Sequence, residues 1–157
     1  MRRARPAGRK VDLASLGAWL LKGNADRRDL AARFAHDPLV ETWGVQPSYR
    51  TAMMAAGQPV LFWGSGSRHR LPYGIWGLGE VAGPAAYHPE AGRWLVPLHL
   101  VIWDRDDWVA RTDLRSDPLL AGMEVFRQPQ AANPSYVTPA EFEALRDYLK
   151  PDPTCRR

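Results

Sequence analysis

The sequence predicts a single α+β domain in which a mixed, barrel-like β-sheet of about five or six strands carries short helices on its outside. The 157 residues, 45% of them hydrophobic, suffice for one core without disulfide cross-links. Short apolar segments are typical of strands, and the helix-like segments do not alternate regularly with them. That irregular order argues against a doubly wound parallel sheet.

The N-terminal part of this domain predicts a strand followed by a helix. The segment AWLLK at Ala18–Lys22 is a short apolar run typical of a buried strand. We expect a helix over Asp26–His36, because Leu30 and Phe34 fall on one face at i, i+4 spacing and Asp26 can cap the first turn.

The middle of the chain predicts a second short helix and three further strands. The helix over Gln46–Ala56 ends before Gly57, a residue type that commonly terminates helices. The apolar runs at Pro59–Trp63, Tyr73–Val81 and Arg93–Trp103 have the composition of strands.

The C-terminal part contains a proline inside a strand and a clear helix start. Pro97 interrupts the last of the three apolar runs and predicts an edge strand or a bulge. Glu124–Arg127 is typical of a strand end, and Gln128–Pro134 of a polar loop. Thr138 and Glu141 have the spacing of a capping box, which predicts where the last helix begins.

The basic charge is concentrated at the two ends of the chain. The net charge is +4, and residues 1–10 hold five basic and no acidic side chains. Outside residues 1–10 and 151–157, acidic side chains slightly outnumber basic ones. We therefore expect a basic disordered tail over residues 1–15, one domain over residues 16–150 and a short tail over residues 151–157.

The composition excludes several classes of protein. Cys155 is the only cysteine, so one chain can form neither a disulfide nor a cysteine-based zinc site, which fits a reducing cytoplasm. No apolar run reaches the length of a membrane span, and the first arginines are not followed by the long apolar stretch of a secretory signal. We expect a cytoplasmic protein that does not enter membranes.

The residue types that commonly carry catalysis or bind metals are scattered. No pair of histidines has the spacing of a metal site, and the carboxylates of Asp104–Asp107 are typical of a solvated turn. Gly74, Gly77 and Gly79 match neither a phosphate-binding loop nor a dinucleotide-binding motif. We expect neither a metal nor a cofactor.

A different pattern indicates binding. Glycines accompany tryptophans in VLFWGSG and GIWGLGEV. Bare backbone could reach the edge of a flat heterocycle while aromatic faces stack on it and arginines hold flanking phosphates. The aromatic candidates are Trp43, Tyr49, Trp63 and Trp76, and the phosphate candidates are Arg68, Arg70 and Arg127. Alternatively, the aromatic side chains fill a small barrel and the glycines mark bulges. The residues alone favour neither interpretation.

Four segments together resemble the EVE domain, a member of the PUA-like superfamily that also contains the YTH and ASCH domains. They are AWLLKG (Ala18–Gly23), WGVQPSYRTAMMAAGQPVLFW (Trp43–Trp63), the segment from GSG to YGIWGLGEV (Gly64–Val81) and EVFRQPQAANPSYVTPAEFEAL (Glu124–Leu145). The resemblance covers about residues 18–149 and implies a PUA-like pseudobarrel.

The resemblance also implies a function and a pocket. EVE and YTH domains read a modified base in DNA or RNA, or the free modified nucleoside, by holding the flipped base in an aromatic pocket without catalysis. Trp43 and Trp63 would wall that pocket, and the backbone of Gly74 and Ile75 would meet the base edge. The pocket residues given by pattern and resemblance together are Trp43, Val45, Ser48, Tyr49, Trp63, Gly64, Ser65, Gly66, Gly74, Ile75, Trp76, Arg127, Gln128, Pro129 and Asn133.

Two other functions are compatible with the sequence. Some relatives in the ASCH branch suggest a small nuclease or hydrolase acting on RNA or nucleotides, with His69, Arg70 and Tyr73 as candidate residues. Alternatively, the tryptophans could form the interface of a protein-binding domain.

Overall fold

The computed structural model of the protein describes residues 10–26, 29–65 and 73–150. Among these residues the strands are β1 (Ala18–Asn24), β2 (Leu39–Gly44), β3 (Pro59–Ser65), β4 (Gly74–Val81), β5 (Ala86–His88), β6 (Arg93–Ile102), β7 (Val109–Ala110) and β8 (Ser135–Val137). The α-helices are α1 (Leu30–His36), α2 (Tyr49–Met53), α3 (Arg111–Arg115), α4 (Glu124–Arg127) and α5 (Pro139–Leu145), and a 3₁₀ turn spans Arg105–Asp107.

One mixed sheet joins the eight strands of the described residues. Its main order is β2-β6-β4-β3-β1-β8, with β5 paired to β6 and β7 paired to β4. β1 and β3 run parallel, with Lys22 beside Trp63, and the other pairs are antiparallel. No ladder joins β2 to β8 in this part of the chain, so the sheet is open there. The α+β class with a mixed sheet and short helices is confirmed, with more strands than predicted because short segments such as β5 and β7 pair with longer ones.

Side chains alternate between the two faces of the sheet and form a separate core on each face. Trp19 and Leu21 of β1 pack with Phe62 of β3 on the face covered by α1. Leu20 and Leu61 point the other way and pack with residues of α4 and α5. The C-terminal ends of the parallel strands β1 and β3 carry the candidate site.

The glycines of β3 and β4 allow close packing. A Cβ atom on Gly64 would lie 2.0 Å from the ring of Trp76, and one on Gly74 would lie 1.8 Å from the carbonyl oxygen of Val109. Gly74 also has a φ of +154°, which side chains rarely adopt. The register between β3 and β4 also shifts between Phe62 and Trp63. Glycines at a close approach and beside a register shift agree better with the second interpretation of the sequence, in which the aromatic side chains fill the interior and the glycines mark bulges.

The predicted strand at Glu124–Arg127 is wrong, because these residues form helix α4. The carboxylate of Glu124 turns inward, where it accepts hydrogen bonds from Arg50 and Ser135. A charged group that must reach buried partners outweighs the strand propensity of the valine and phenylalanine beside it.

The helix cap predicted near the C-terminus is confirmed, and the one predicted near the N-terminus is wrong. Thr138 Oγ1 accepts the Glu141 N–H at 3.1 Å and Glu141 Oε1 accepts the Thr138 N–H at 2.9 Å, which confirms the capping box. Helix α1 is capped by Asp29, whose carboxylate accepts the Ala32 N–H at 3.1 Å. The predicted cap at Asp26 is therefore wrong, and the helix begins later than expected.

Pro97 lies in an internal strand, because β6 runs between β2 and β4. The edge-strand alternative is therefore wrong. The register between β2 and β6 shifts between Val40 and Thr42, and Thr42 pairs with Pro97. This register shift is consistent with the bulge alternative.

The packed part of the chain begins before residue 16. Val11 is 4% exposed, belongs to the core on the α1 face and donates its N–H to the Tyr49 hydroxyl at 2.9 Å. The predicted boundary of the N-terminal tail at residue 15 is therefore too late. Residues 1–9 and 151–157 lie outside the described residues.

Candidate functional site

Two adjoining cavities open at the C-terminal ends of β1 and β3. Their volumes are about 460 and 450 Å³, and they are named the Trp63 cavity and the Trp43 cavity after the indole that lines each. Both are lined by residues 22–24 and by Asn133, so the two form one cleft.

The Trp63 cavity lies on the face of the sheet that packs against α4. Trp63 is 5% exposed, and its indole meets the Phe126 ring edge-on with 5.7 Å between ring centroids. The guanidinium of Arg111 lies 4.2 Å from the centroid of the Tyr73 ring, and that of Arg115 lies 5.0 Å from the Phe126 ring. All five side chains line the cavity, so aromatic surface and positive charge alternate around it.

The Trp43 cavity has the same chemical character. Trp43 is half-buried and donates its Nε1–H to the Lys22 carbonyl oxygen at 3.1 Å, which fixes the plane of the indole. The Phe62 ring meets it edge-on at 4.9 Å, and the guanidinium of Arg33 lies 5.7 Å from its ring centroid. The exposed Arg93, at the start of β6, also lines the cavity.

Asn133 forms the ridge between the two cavities. Its Oδ1 accepts the Lys22 backbone N–H at 2.8 Å, and its Nδ2 donates to the carbonyl oxygens of Lys22 at 3.0 Å and Gly44 at 3.5 Å. Its own carbonyl oxygen accepts the Gln46 N–H at 2.9 Å. Asn133, which the resemblance implies at the rim of the pocket, therefore lines the cleft with its side-chain amide bonded to backbone.

Lys22 ties the loop that precedes this ridge to β1. Its Nζ donates to the carbonyl oxygens of Pro129, at 3.3 Å, and of Ala131. Burial lowers the pKa of Lys22, and the nearby Glu124 carboxylate offsets only part of this effect. Two of the three ammonium donors are used by the loop, which leaves one for a ligand in the cleft.

The described lining of the cleft carries cations and no carboxylate. The described residues lining the two cavities include five cationic side chains and no aspartate or glutamate; the cations are Lys22, Arg33, Arg93, Arg111 and Arg115. None of these arginines forms an ion pair within the described part of the chain. Uncompensated positive charge in a concave site attracts anions.

A buried ion pair stabilises the loop that ends at Pro134. Arg50 donates from both terminal nitrogens to Glu124 at 2.6 and 2.8 Å, and Glu124 accepts the Ser135 hydroxyl at 2.8 Å. Burial opposes the charged carboxylate, but these hydrogen bonds and the charge of Arg50 outweigh it and hold the pKa of Glu124 below its ordinary range. Arg50 also donates to the Pro134 carbonyl oxygen at 3.2 Å, which links the pair to the end of the loop.

The structure brings some of the predicted pocket residues to the cleft. They are Trp43, Trp63, Ser65, Pro129 and Asn133. Trp43 and Trp63 line separate cavities, because the end of β1 and Asn133 lie between them. The resemblance implies that both indoles wall one pocket, whereas each of them lines a different cavity of the cleft.

Several predicted contacts lie in the interior instead. They are Val45, Gly64, Gly74, Ile75 and Trp76, all of which are buried. Trp76 is 0% exposed and stacks on Trp108, with 3.9 Å between centroids and 9° between planes. Gly64, Gly74, Ile75 and Trp76 line neither cavity of the cleft, so a ligand bound there does not meet them. Val45 lines a separate cavity of about 270 Å³.

Ser48, Tyr49 and Gln128 line a third cavity of about 320 Å³ on another side of the loop that ends at residue 134. Arg127 is exposed, donates its Nε–H to the Gly122 carbonyl oxygen at 2.8 Å and lines none of these three cavities. The predicted contributions of these four side chains to the base pocket are therefore not met in the cleft.

Of the remaining candidates, Tyr73 alone belongs to the described residues. Gly66, Arg68, His69 and Arg70 lie outside the described residues, and Tyr73 lines the Trp63 cavity. Sequence reasoning missed the cations that line the cleft, since they come from β1, α1, β6 and α3. No local spacing connects them, and only the sheet topology brings them together.

Two further findings concern metals and membranes. The described residues contain no group of three or more His, Cys, Asp or Glu side chains arranged to hold a metal ion. Asp107, one of the carboxylates considered for a metal, pairs with Lys150 at 3.2 Å. Among the helices of the described residues, none has the length and the apolar run needed to cross a bilayer.

The same fold occurs in solved structures from distant organisms. A hypothetical protein from Leishmania major superposes with a TM-score of 0.63 at 21% identity, over 85% of this chain and 94% of its own. A Rhodopseudomonas palustris protein solved by NMR gives 0.61 at 17% identity, over 85% and 92%. A Pseudomonas syringae protein gives 0.60 at 15% identity, over 83% and 97%. No family model and no curated protein matches the sequence. These similarities show that the fold recurs across most of the chain.

Proposed function

We propose that the protein is a non-catalytic PUA-like module that binds DNA or RNA and reads a modified base flipped into the Trp63 cavity. The observation that carries the proposal is a cavity of about 460 Å³ in which aromatic side chains and three cations meet without a carboxylate among the described lining residues. This volume lies within the range of about 300–1,000 Å³ that is typical of ligand pockets.

The charge of the cleft supports a nucleic acid as the ligand. Phosphate neutralisation by lysine and arginine supplies most sequence-independent affinity for nucleic acids. Lys22, Arg111 and Arg115 surround the Trp63 cavity, so a strand whose base enters it can place its phosphates beside them. This local positive charge is compatible with the slight acidic excess of residues 11–150, because the cleft carries no acidic side chain in its described lining.

The polar groups of the Trp63 cavity support reading of a base. Within the described residues the Ser65 hydroxyl makes one long hydrogen bond, of 3.4 Å to the Gly23 carbonyl oxygen, so it can turn to a base edge instead. Tyr73 is half-buried and offers ring surface for stacking. Stacking of a base on an aromatic side chain contributes about 1–3 kcal/mol, which offsets the few kcal/mol that base extrusion costs.

Two further features support the proposed class. The mixed sheet with short flanking helices is compatible with a PUA-like pseudobarrel, as the four segments that resemble the EVE domain imply. The aromatic rings and the cations that line the cleft are groups that stack on bases and contact phosphates, which favours binding over hydrolysis.

The proposal is tested by fluorescence anisotropy titrations with labelled single strands of DNA and RNA that differ in one modified base. We expect at least one modified strand to bind more tightly than its unmodified counterpart. Trp63→Phe should reduce that preference about fivefold, because the smaller ring offers less stacking surface and about 1 kcal/mol is lost. Trp63 is almost fully buried and packs in the core on the α4 face, so the smaller ring should also lower the thermal stability modestly.

The matched control is Arg146→Ala. Arg146 is exposed, pairs with Glu143 at 2.9 Å and lies outside the cleft lining, so the variant should leave affinity and preference unchanged. The thermal unfolding midpoint of each variant is measured alongside. The proposal fails if no modified base improves binding, or if Trp63→Phe and Arg146→Ala have the same effect.

A further inference from the structure

We infer that the cleft binds an oligonucleotide across both cavities, with one base in the Trp63 cavity and the adjacent nucleotide in the Trp43 cavity. This inference rests on the proposed function and narrows its ligand. A free nucleoside or mononucleotide fills only one of the two cavities, so it is expected to bind more weakly than a strand.

The two cavities are chemically matched. Each has a volume near 450 Å³, one indole, two arginines and no carboxylate in its described lining. A site built for one base would need only one such set. The repetition of the set fits a ligand in which phosphate and ring repeat, as they do along a nucleic-acid strand.

The two cavities are also continuous. Residues 22–24 and Asn133 line both, so a strand can pass from one to the other over the end of β1. The ridge is fixed, because the Asn133 amide is bonded to the backbone of Lys22 on both its oxygen and its nitrogen. Consecutive nucleotides can therefore lie on either side of a rigid divider.

The Trp43 cavity offers stacking and charge. The Trp43 Nε1–H is already bonded to the Lys22 carbonyl oxygen, which leaves the ring surface as the part of the indole available to a base. Arg33 lies beside that ring and Arg93 is exposed, and neither forms an ion pair within the described residues. Stacking tolerates any base, so this second cavity contributes affinity without selecting a sequence.

The test uses unmodified probes: thymidine, thymidine 5′-monophosphate, and the thymidylate dinucleotide and tetranucleotide, with the matching uridine series. Isothermal titration calorimetry gives the affinities at several salt concentrations. We expect the dinucleotide to bind about tenfold more tightly than the monophosphate, because it adds one stacked ring and one neutralised phosphate.

Matched arginine variants separate the two cavities. Arg33→Ala and Arg93→Ala should remove most of the gain from monophosphate to dinucleotide and lower the salt slope by about 0.7 for each lost phosphate contact. Both should weaken the dinucleotide by a larger factor than the monophosphate, because the monophosphate can still occupy the Trp63 cavity. Arg111→Ala should weaken the monophosphate and the dinucleotide by the same factor, because it lines the Trp63 cavity.

The inference is overturned if affinity does not rise with length, if the rise survives Arg33→Ala and Arg93→Ala, or if no thymidylate or uridylate binds. Each of these outcomes leaves the proposed function standing when modified strands still bind with a Trp63-dependent preference. Loss of the Trp63-dependent preference would contradict the proposed function, whatever the affinities from nucleoside to tetranucleotide are.

Discussion

Two regions of the protein place tryptophans against glycines, and they differ in what surrounds the indoles. In the core, a Cβ on Gly64 would lie 2.0–2.2 Å from three ring atoms of Trp76, so the indole lies flat on bare backbone. At the cleft, a Cβ on Gly23 would lie 2.8 Å from the Trp43 ring. Trp76 is fully buried, whereas Trp43 stays half-buried with Arg33 beside it. Glycine next to tryptophan therefore indicates close packing in both regions, and the neighbouring charge distinguishes the binding surface.

The same contrast holds for the arginines. Arg50 is neutralised by Glu124 through two hydrogen bonds and supports the fold. Three of the four arginines that line the cleft stand over aromatic rings at 4.2–5.7 Å, and none of the four has a carboxylate partner in the described part of the chain. A compensated charge is explained by structure alone. Several positive charges without partners in one concave site attract an anionic ligand.

The largest expected effect is on the core indole. Trp76→Ala should lower the free energy of unfolding by about 4 kcal/mol, because it removes a fully buried side chain stacked on Trp108 and leaves a cavity. Urea denaturation followed by circular dichroism measures this loss. Trp94→Ala, at the half-buried edge of β6, is the control and should cost much less. Equal losses in the two variants would contradict the distinction between interior and surface indoles.

The next effect concerns the compensated charge. Glu124→Gln keeps the shape of the side chain but leaves Arg50 without a counter-charge in a buried site, which should cost about 3 kcal/mol at neutral pH. The pKa of Glu124 is lower in the folded state than its ordinary value of 4.5, so its contribution is present above that pH and is lost as the pH falls through the folded-state pKa.

Two measurements check this prediction. The stability difference between the wild type and Glu124→Gln should be constant near neutral pH and should shrink in acid, as urea titrations at several pH values would show. Glu143→Gln breaks an exposed pair with Arg146 and should leave stability nearly unchanged. A difference that does not shrink in acid would mean that the carboxylate charge is not what stabilises the pair.

Local chemistry made parts of the fold predictable from the sequence. The capping box at Thr138 and Glu141 specifies a helix start within four residues, and the apolar runs that became β3 and β4 carry their own strand signal. Helix α4 was not predictable in this way, because Glu124 is drawn to partners far away in the sequence. Strand β2 was not predicted, because its polar residues obscure the alternation of apolar and polar side chains that is typical of a strand. Its pairing with β6 stabilises the extended conformation.

The site was less predictable than the fold. The tryptophans of the cleft were found from the sequence, but Trp76 was included with them because burial depends on the sheet that covers it. The cations were missed because Lys22, Arg33 and Arg111 belong to elements that meet only in three dimensions. These side chains meet at the C-terminal ends of β1 and β3. The sequence alone does not show which strand ends are neighbours.

The smallest expected loss of stability concerns Asn133 and tests a difference between the two regions. Apolar packing stabilises the core, whereas hydrogen bonds stabilise the cleft. Asn133→Ala should lower the free energy of unfolding by about 2 kcal/mol, because the backbone N–H and carbonyl of Lys22 and the carbonyl of Gly44 lose a partner. Asn24→Ala removes an exposed amide from the same cleft and is the control. Hydrogen exchange should accelerate at the amides of Lys22 and Gln46 in Asn133→Ala alone. Similar stability and exchange in the two variants would mean that the ridge does not depend on the Asn133 amide, and that the division of the cleft into two cavities has another cause.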